Sequence, residues 1–142
     1  MLKHLLLVLV LAGPAAHGQT EWLTVMGDPA NLLTDTIQVD PNPLSVAGDH
    51  RTMRVRVSRA AQHVNWDGVP YRSYDASVMF DCASHTARYL EIRFYLQPGW
   101  QGDIHKTVSY ATGVPRWILI RELEPNPYRR IIHAACGAFQ PR

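Results

Sequence analysis

The feature that most constrains the fold is a pair of cysteines, Cys82 and Cys136, which are the only two in the chain. They follow an N-terminal segment that is typical of an export signal, and exported proteins meet an oxidising compartment. Cys82 ends a strand-like run, and Cys136 lies late in the one segment with a convincing helical pattern. Two cysteines in this context are more typical of a structural disulfide than of a catalytic pair. The sequence therefore predicts a strand and a terminal helix joined covalently.

The export signal is predicted over residues 1–18. Lys3 precedes a run of Leu and Val over residues 5–11, and small residues follow, with Ala16 and Gly18 suiting cleavage after Gly18. The apolar run is shorter than the about 20 residues that span a bilayer, and the alternative is an uncleaved N-terminal anchor. No cysteine adjoins the cleavage site, so no N-terminal lipid anchor is expected. We expect a periplasmic, secreted or cell-surface protein without a later transmembrane segment.

The mature chain, residues 19–142, is expected to form one domain. Its 124 residues are a typical single-domain length. Without Lys3, 13 basic residues face 12 acidic ones, so the net charge is close to neutral. A near-neutral exported chain does not favour nucleic-acid binding.

Alternating apolar residues predict an antiparallel sheet with one buried face and one solvated face. The clearest strand, residues 52–58, points Met53, Val55 and Val57 to one side and Arg54 and Arg56 to the other. Residues 86–96 alternate similarly, with Leu90, Ile92, Phe94 and Leu96 inward and Tyr89, Glu91, Arg93 and Tyr95 outward. Other strand-like segments are residues 21–26, 32–39, 44–46, 74–82 and 104–110, while residues 116–122 fit a strand or a run into the helix.

One helix is predicted to begin near Asn126, with Asn126 as the N-cap and Pro127 in the first turn. Its apolar stripe comprises Tyr128, Ile131, Ile132, Ala135, Cys136 and Phe139, and its polar side carries Arg129, Arg130 and His133. So short a helix needs a surface to pack on, and the apolar face of the sheet provides one.

Docking this helix on the sheet would bring Cys136 towards Cys82, which shares a strand face with Val78 and Phe80. A disulfide would close a loop of about 55 residues and contribute about 4 kcal/mol. The alternatives are two unpaired buried thiols or a redox-active pair, and the absence of a Cys-x-x-Cys motif disfavours the second.

Two clusters of aromatic and basic residues are candidate binding surfaces, because Tyr, Trp and Arg are enriched at protein interfaces. The first is the solvated face of the sheet, with Arg54, Arg56, Tyr89, Arg93 and Tyr95. The second surrounds a loop and comprises Trp66, Tyr71, Arg72 and Tyr74. The alternatives are an ordinary solvated face with cross-strand charge pairs and a cluster that only caps the core edge.

Catalysis, metal binding and cofactor binding have no clear local signature. The histidines of the mature chain form no helical i, i+4 pair and no His-x-His strand pair, so no metal site is predicted; they are His50, His63, His85, His105 and His133. No nucleophile elbow Gly-x-Ser-x-Gly and no Gly-rich phosphate loop occurs. A small hydrolase with a triad assembled in space is the remaining enzymatic alternative.

An ordered set of short motifs resembles the bacterial surface-adhesin protein E family. In chain order the set comprises Trp22 and Val25, the Ile-Gln-Val-Asp of residues 37–40, the Leu-Ser-Val of 44–46, the Tyr-Arg-Ser of 71–73, the Phe-Asp-Cys of 80–82, the Thr-Ala-Arg of 86–88 and Cys136. The resemblance covers roughly residues 21 to 137.

This resemblance implies an antiparallel sheet of about six strands with a C-terminal helix tethered to one face by a disulfide. It gives Cys82 and Cys136 that structural role. It also implies a non-enzymatic binding module for macromolecules, since the best-known member is an adhesin that binds host proteins such as laminin and vitronectin and dimerises. Host matrix or serum proteins and a homodimer are therefore the expected partners. The alternative is a soluble periplasmic accessory protein with no host ligand.

Overall fold

The computed structural model describes Gly13 and residues 21–137, so most of the expected export signal and Phe139 lie outside the described residues. The described chain forms an antiparallel sheet followed by one helix. Its strands are β1 (Leu23–Met26), β2 (Thr36–Val39), β3 (Ser45–Ala47), β4 (His50–Val64), β5 (Pro70–Asp81), β6 (Thr86–Tyr95), β7 (Lys106–Ser109) and β8 (Arg116–Trp117). A 3₁₀ turn, Pro98–Trp100, follows β6, and the helix α1 is Tyr128–Gly137.

The strands pair in the order β1-β2-β4-β5-β6-β7, all antiparallel, with β3 beside β4 and β8 beside β6. The predicted fold class, an antiparallel sheet with a C-terminal helix on one face, is confirmed. The sheet has eight strands rather than about six. The additional pairing arises because the long strands β4 and β6 each accept two short neighbours along one edge.

The alternation predicted for β4 is confirmed. Met53, Val55 and Val57 are fully buried on what we call the inner face, whereas Arg54 and Arg56 are half-buried on the opposite, outer face. The inner face is apolar because side chains two residues apart along a strand project to the same side.

The alternation predicted for β6 is wrong at its start and its end. Ser77 of β5 pairs with Glu91, but the next residue, Val78, pairs with Tyr89, so Leu90 is an extra residue in a β-bulge. Before the bulge the alternation is reversed, and Tyr89 lies inward with 0% exposure. Leu96 follows the end of β6 and is 47% exposed rather than buried.

Helix α1 packs on the inner face through Ile131, Ile132 and Ala135, as its apolar stripe predicts. The predicted capping role of Asn126 is wrong. Its side-chain amide instead hydrogen-bonds both the N–H and the carbonyl oxygen of Ile120, so this residue anchors the preceding segment rather than the helix. Arg129, Arg130 and His133 are exposed on the opposite side of the helix, as predicted.

The disulfide between Cys82 and Cys136 is confirmed, with a Cα–Cα distance of 5.6 Å. Cys82 directly follows β5, and Cys136 lies in the last turn of α1. Arg51 of β4 donates a hydrogen bond to the carbonyl oxygen of Cys136 at 2.9 Å. Two strands and the C-terminal end of the helix are therefore joined at one point.

Candidate binding face of the sheet

The residues predicted to form a binding surface are divided between the two faces of the sheet. Arg54, Arg56, Arg93 and Tyr95 are half-buried on the outer face, which α1 does not cover. Tyr71 and Tyr89 are 2% and 0% exposed. The prediction that these two tyrosines belong to a surface is wrong, because both are buried in the hydrophobic core.

The predicted cluster around Trp66 belongs mainly to the core edge. The ring of Trp66 lies 6.2 Å from that of Tyr89, and Tyr71 packs edge-on against Tyr74 at 5.5 Å. Arg72 donates to the carbonyl oxygens of Arg59 and Ala60, at 2.8 and 2.9 Å. These contacts favour the alternative in which the cluster closes the edge of the core.

Tyr74 and Tyr89 share a buried hydrogen bond between their hydroxyl oxygens at 2.6 Å. Burial raises the pKa of both phenols well above the ordinary value of 10.0. Both side chains are therefore neutral members of the core and supply neither a base nor a nucleophile near neutral pH.

The centre of the outer face is the guanidinium of Arg56, which lies between two indole rings. Its Cζ atom is 4.0 Å from the ring centroid of Trp22 and 4.0 Å from that of Trp100. Such contacts attract a cation through the negative face of the aromatic ring. The Nε atom of Arg56 also donates to Gln38 at 2.8 Å. The stack therefore fixes the arginine while leaving it half-exposed.

Desolvation lowers the pKa of Arg56, and the neighbouring charge of Arg54 lowers it further. A guanidinium is nevertheless not deprotonated in proteins at neutral pH. Among the described residues no carboxylate lies within 4.0 Å of Arg56. The stack therefore presents a positive charge that no direct ion pair neutralises.

Asp75 lies beside this stack and joins two more arginines. It accepts a hydrogen bond from Arg54 at 2.6 Å and one from Arg93 at 2.8 Å. The hydrogen bond to Asp75 raises the pKa of Arg93. The carboxylate side chain is 10% exposed, whereas both arginine side chains are about one-third exposed. The carboxylate thus orients two guanidinium groups that remain accessible.

The 3₁₀ turn holds Trp100 against the sheet. Gly99, at a φ of 64°, donates from its N–H to the hydroxyl of Ser58 at 3.0 Å, and the N–H of Trp100 donates to the hydroxyl of Ser73 at 3.0 Å. The indole N–H of Trp100 donates to the carbonyl oxygen of Tyr74 at 2.8 Å. Glycine suits the positive φ of this turn, which brings the indole over Arg56.

Sequence reasoning missed Trp22, Trp100 and Asp75 as members of this face. Asp75 of β5 pairs with Arg56 of β4 and with Arg93 of β6, and the sequence does not show this strand register. One pattern in the sequence could have identified Asp75. It lies on β5 between the inward residues Tyr74 and Ala76, so strand alternation directs its side chain to the outer face.

The assembled groups can bind acidic and aromatic groups, because guanidinium groups pair with carboxylates and indoles provide large contact areas. Within residues 21–137 no three His, Cys, Asp or Glu side chains come together in a way that could hold a metal ion. In the same part of the chain no helix is both long and apolar enough to cross a membrane.

Comparison with known proteins identifies one family. The family model for surface-adhesin protein E matches residues 22–137, which cover the whole sheet and helix. Searches of curated proteins and of solved structures each found no match. Because the matched region spans most of the chain, this protein belongs to the surface-adhesin protein E family.

Proposed function

We propose that this protein is a non-enzymatic binding module of the cell envelope that engages a macromolecular ligand with the outer face of its sheet. The single observation that carries the proposal is the half-exposed stack of Trp22, Arg56 and Trp100, flanked by Arg54 and Arg93. Its placement on the face opposite the helix leaves the stack open to a partner.

The composition of this face supports a protein ligand. Tryptophan, tyrosine and arginine are the residue types that dominate binding energy at protein interfaces. Here the hydrogen bonds of Gln38 and Asp75 already hold the guanidinium groups in place, so little side-chain order would be lost on binding. Family membership makes host matrix or serum proteins the first ligands to test.

Binding of the purified, oxidised protein to immobilised laminin and vitronectin tests the proposal. The double variant Trp22→Ala with Arg56→Ala removes two members of the half-exposed stack that carries the proposal. We expect its dissociation constant to rise by about tenfold or more, the effect of losing an interface hot spot. Lys106→Ala is the matched control, since it removes one exposed positive charge at a position that pairs with the inward residue Phe94.

Equal binding by the double variant and the unaltered protein would show that the outer face is not the binding surface. No binding of the unaltered protein to either host protein would favour the periplasmic accessory role instead. Protease treatment of intact cells tests the location separately, because a surface-displayed protein is digested and a periplasmic one is protected.

A further inference from the structure

The outward side of α1 carries a compact group of basic side chains beside the edge strand β1. Arg129 and His133 are four residues apart on the helix, and Arg130 lies next to them, so all three project to one side. This side faces away from the buried stripe of Ile131 and Ala135. It is separate from the outer face of the sheet described above.

Two adjoining cavities open along this side of the helix and share Arg129 and His133 in their walls. The first, about 460 Å³, lies between the helix and β1. The second, about 430 Å³, extends towards the β5–β6 turn. Their remaining described lining residues are Thr24, Val25, Arg130 and Ala134 in the first cavity and His85, Tyr128 and Ile132 in the second. Cavities of this size accommodate small ligands.

The charge in these cavities is of one sign. No aspartate or glutamate is found among the described residues that line either cavity. Arg129 and Arg130 also have no carboxylate within 4.0 Å in the part of the chain that the structure describes. Elsewhere the arginines Arg54, Arg59 and Arg93 are each paired with an aspartate.

The two guanidinium groups are held in place and retain unused donors. Arg130 donates one hydrogen bond to the carbonyl oxygen of Val25 in β1. Arg129 donates from Nε to the hydroxyl of Tyr128 at 3.1 Å, and its Cζ atom lies 5.7 Å from that ring. A guanidinium has five N–H donors, so most remain available in each side chain.

Helix stability does not explain this arginine pair. Both residues lie near the beginning of α1, and the first turn contains no acidic residue. The positive end of the helix dipole disfavours cations there, so the pair is placed where it weakens the isolated helix. A ligand that brings negative charge to the side chains would offset that repulsion.

We propose that the cleft between β1 and α1 binds a small ligand that carries an oxyanion, a phosphate, sulfate or carboxylate group. Arg129 and Arg130 hold the oxyanion through charge-assisted hydrogen bonds, and His133 supplies a further donor beside them. The volume of the cleft leaves room for an organic body along Val25 and Ala134. This site is independent of the macromolecular binding proposed for the outer face.

Nuclear magnetic resonance titration of the ¹⁵N-labelled, oxidised protein tests the site. Sodium phosphate, sodium sulfate and sodium acetate are added in separate arms at one pH, with sodium chloride keeping the ionic strength constant. We expect saturable shifts at the amide groups of Thr24, Arg129, Arg130 and His133. The arm with the tightest binding identifies the preferred oxyanion.

The variant Arg129→Gln should weaken this binding by about tenfold and the double variant with Arg130→Gln should abolish it. Lys106→Gln is the matched control, since it removes one charge from the exposed strand β7 and should leave the titration unchanged. Circular dichroism confirms that each variant keeps its helix. Unsaturable shifts in every arm, or equal binding by the double variant, would overturn the proposal.

Discussion

The two faces of the sheet each hold an arginine of β4 in place, and they do so by different means. Arg59 lies inward, is 1% exposed and pairs with Asp35 at 2.9 Å. It also donates to the carbonyl oxygens of Arg121 and Glu122, at 2.8 and 3.3 Å. Arg56, three residues earlier on the outer face, is instead held between two indole rings.

The charge of Arg59 therefore has a structural role, whereas the charge of Arg56 is available to a ligand. A buried charge with ionic and carbonyl partners is fully compensated, and it serves to fasten the segment after β8 to β4. Arg56 is held by aromatic faces, and Asp75 and Asp40 act on it only at longer range, so its charge remains available to a ligand. We therefore expect changes on the inner side to affect stability strongly and changes on the outer side to affect it weakly.

The largest expected effect is the loss of the disulfide that holds α1 on the inner face. The double variant Cys82→Ala with Cys136→Ala frees a loop with a sequence separation of 54 residues. We expect the free energy of unfolding to fall by about 4 kcal/mol, because the unfolded chain regains that freedom. Denaturation in guanidinium chloride measures the loss, and the reduced unaltered protein is the control. If the oxidised and reduced proteins unfold at the same denaturant concentration, the tether is unimportant.

The next effect concerns the inner arginine. Asp35→Asn leaves the charge of Arg59 buried without its ionic partner, and we expect a loss of about 3 kcal/mol in the free energy of unfolding. Urea denaturation near neutral pH measures it. A loss close to zero would mean that the carbonyl oxygens of Arg121 and Glu122 suffice for Arg59.

Acid should also remove the stability that the Asp35–Arg59 ion pair contributes. Burial by itself raises the pKa of Asp35, but hydrogen bonds from the Ala60 amide and from Arg59, together with the charge of Arg59, outweigh it and place the pKa below 3.8. A carboxyl group with a lowered folded-state pKa stabilises the protein above its unfolded-state pKa and ceases to do so as the pH falls through the folded value. The difference between the unaltered protein and Asp35→Asn should therefore shrink below about pH 4.

The smallest effect is expected on the outer face, where Asp75→Asn is the matched change. It also removes an aspartate from arginine partners, but Arg54 and Arg93 remain about one-third exposed and can be hydrated. We expect a loss of about 1 kcal/mol in the same urea experiment. A loss as large as that of Asp35→Asn would contradict the distinction between the faces.

Periodicity was sufficient where strands are regular and failed where one residue interrupts them. The inward positions of β4 and the buried stripe of α1 followed from side-chain spacing alone. The bulge at Leu90 reversed the orientation of Tyr89 without any glycine or proline to signal it. The expected capping role of Asn126 failed because the backbone of Ile120, six residues earlier, supplies competing hydrogen-bond partners.

For the candidate face, residue types were predictable and their grouping was not. Arg54, Arg56, Arg93 and Tyr95 were identified because they alternate with apolar residues. Trp22 and Trp100 lie outside the strands, so only the folded chain shows that both rings contact Arg56.

The sequence by itself determined the antiparallel sheet and the terminal helix, because the spacing of apolar residues reflects local backbone geometry. It also determined the covalent link between Cys82 and Cys136, because each cysteine has only one possible partner in the chain. Only the tertiary structure decided which arginine is buried beside Asp35, which is stacked between indoles and which line the cleft along α1. Those outcomes depend on strand register and on contacts between segments far apart in the chain, which one-dimensional spacing does not specify.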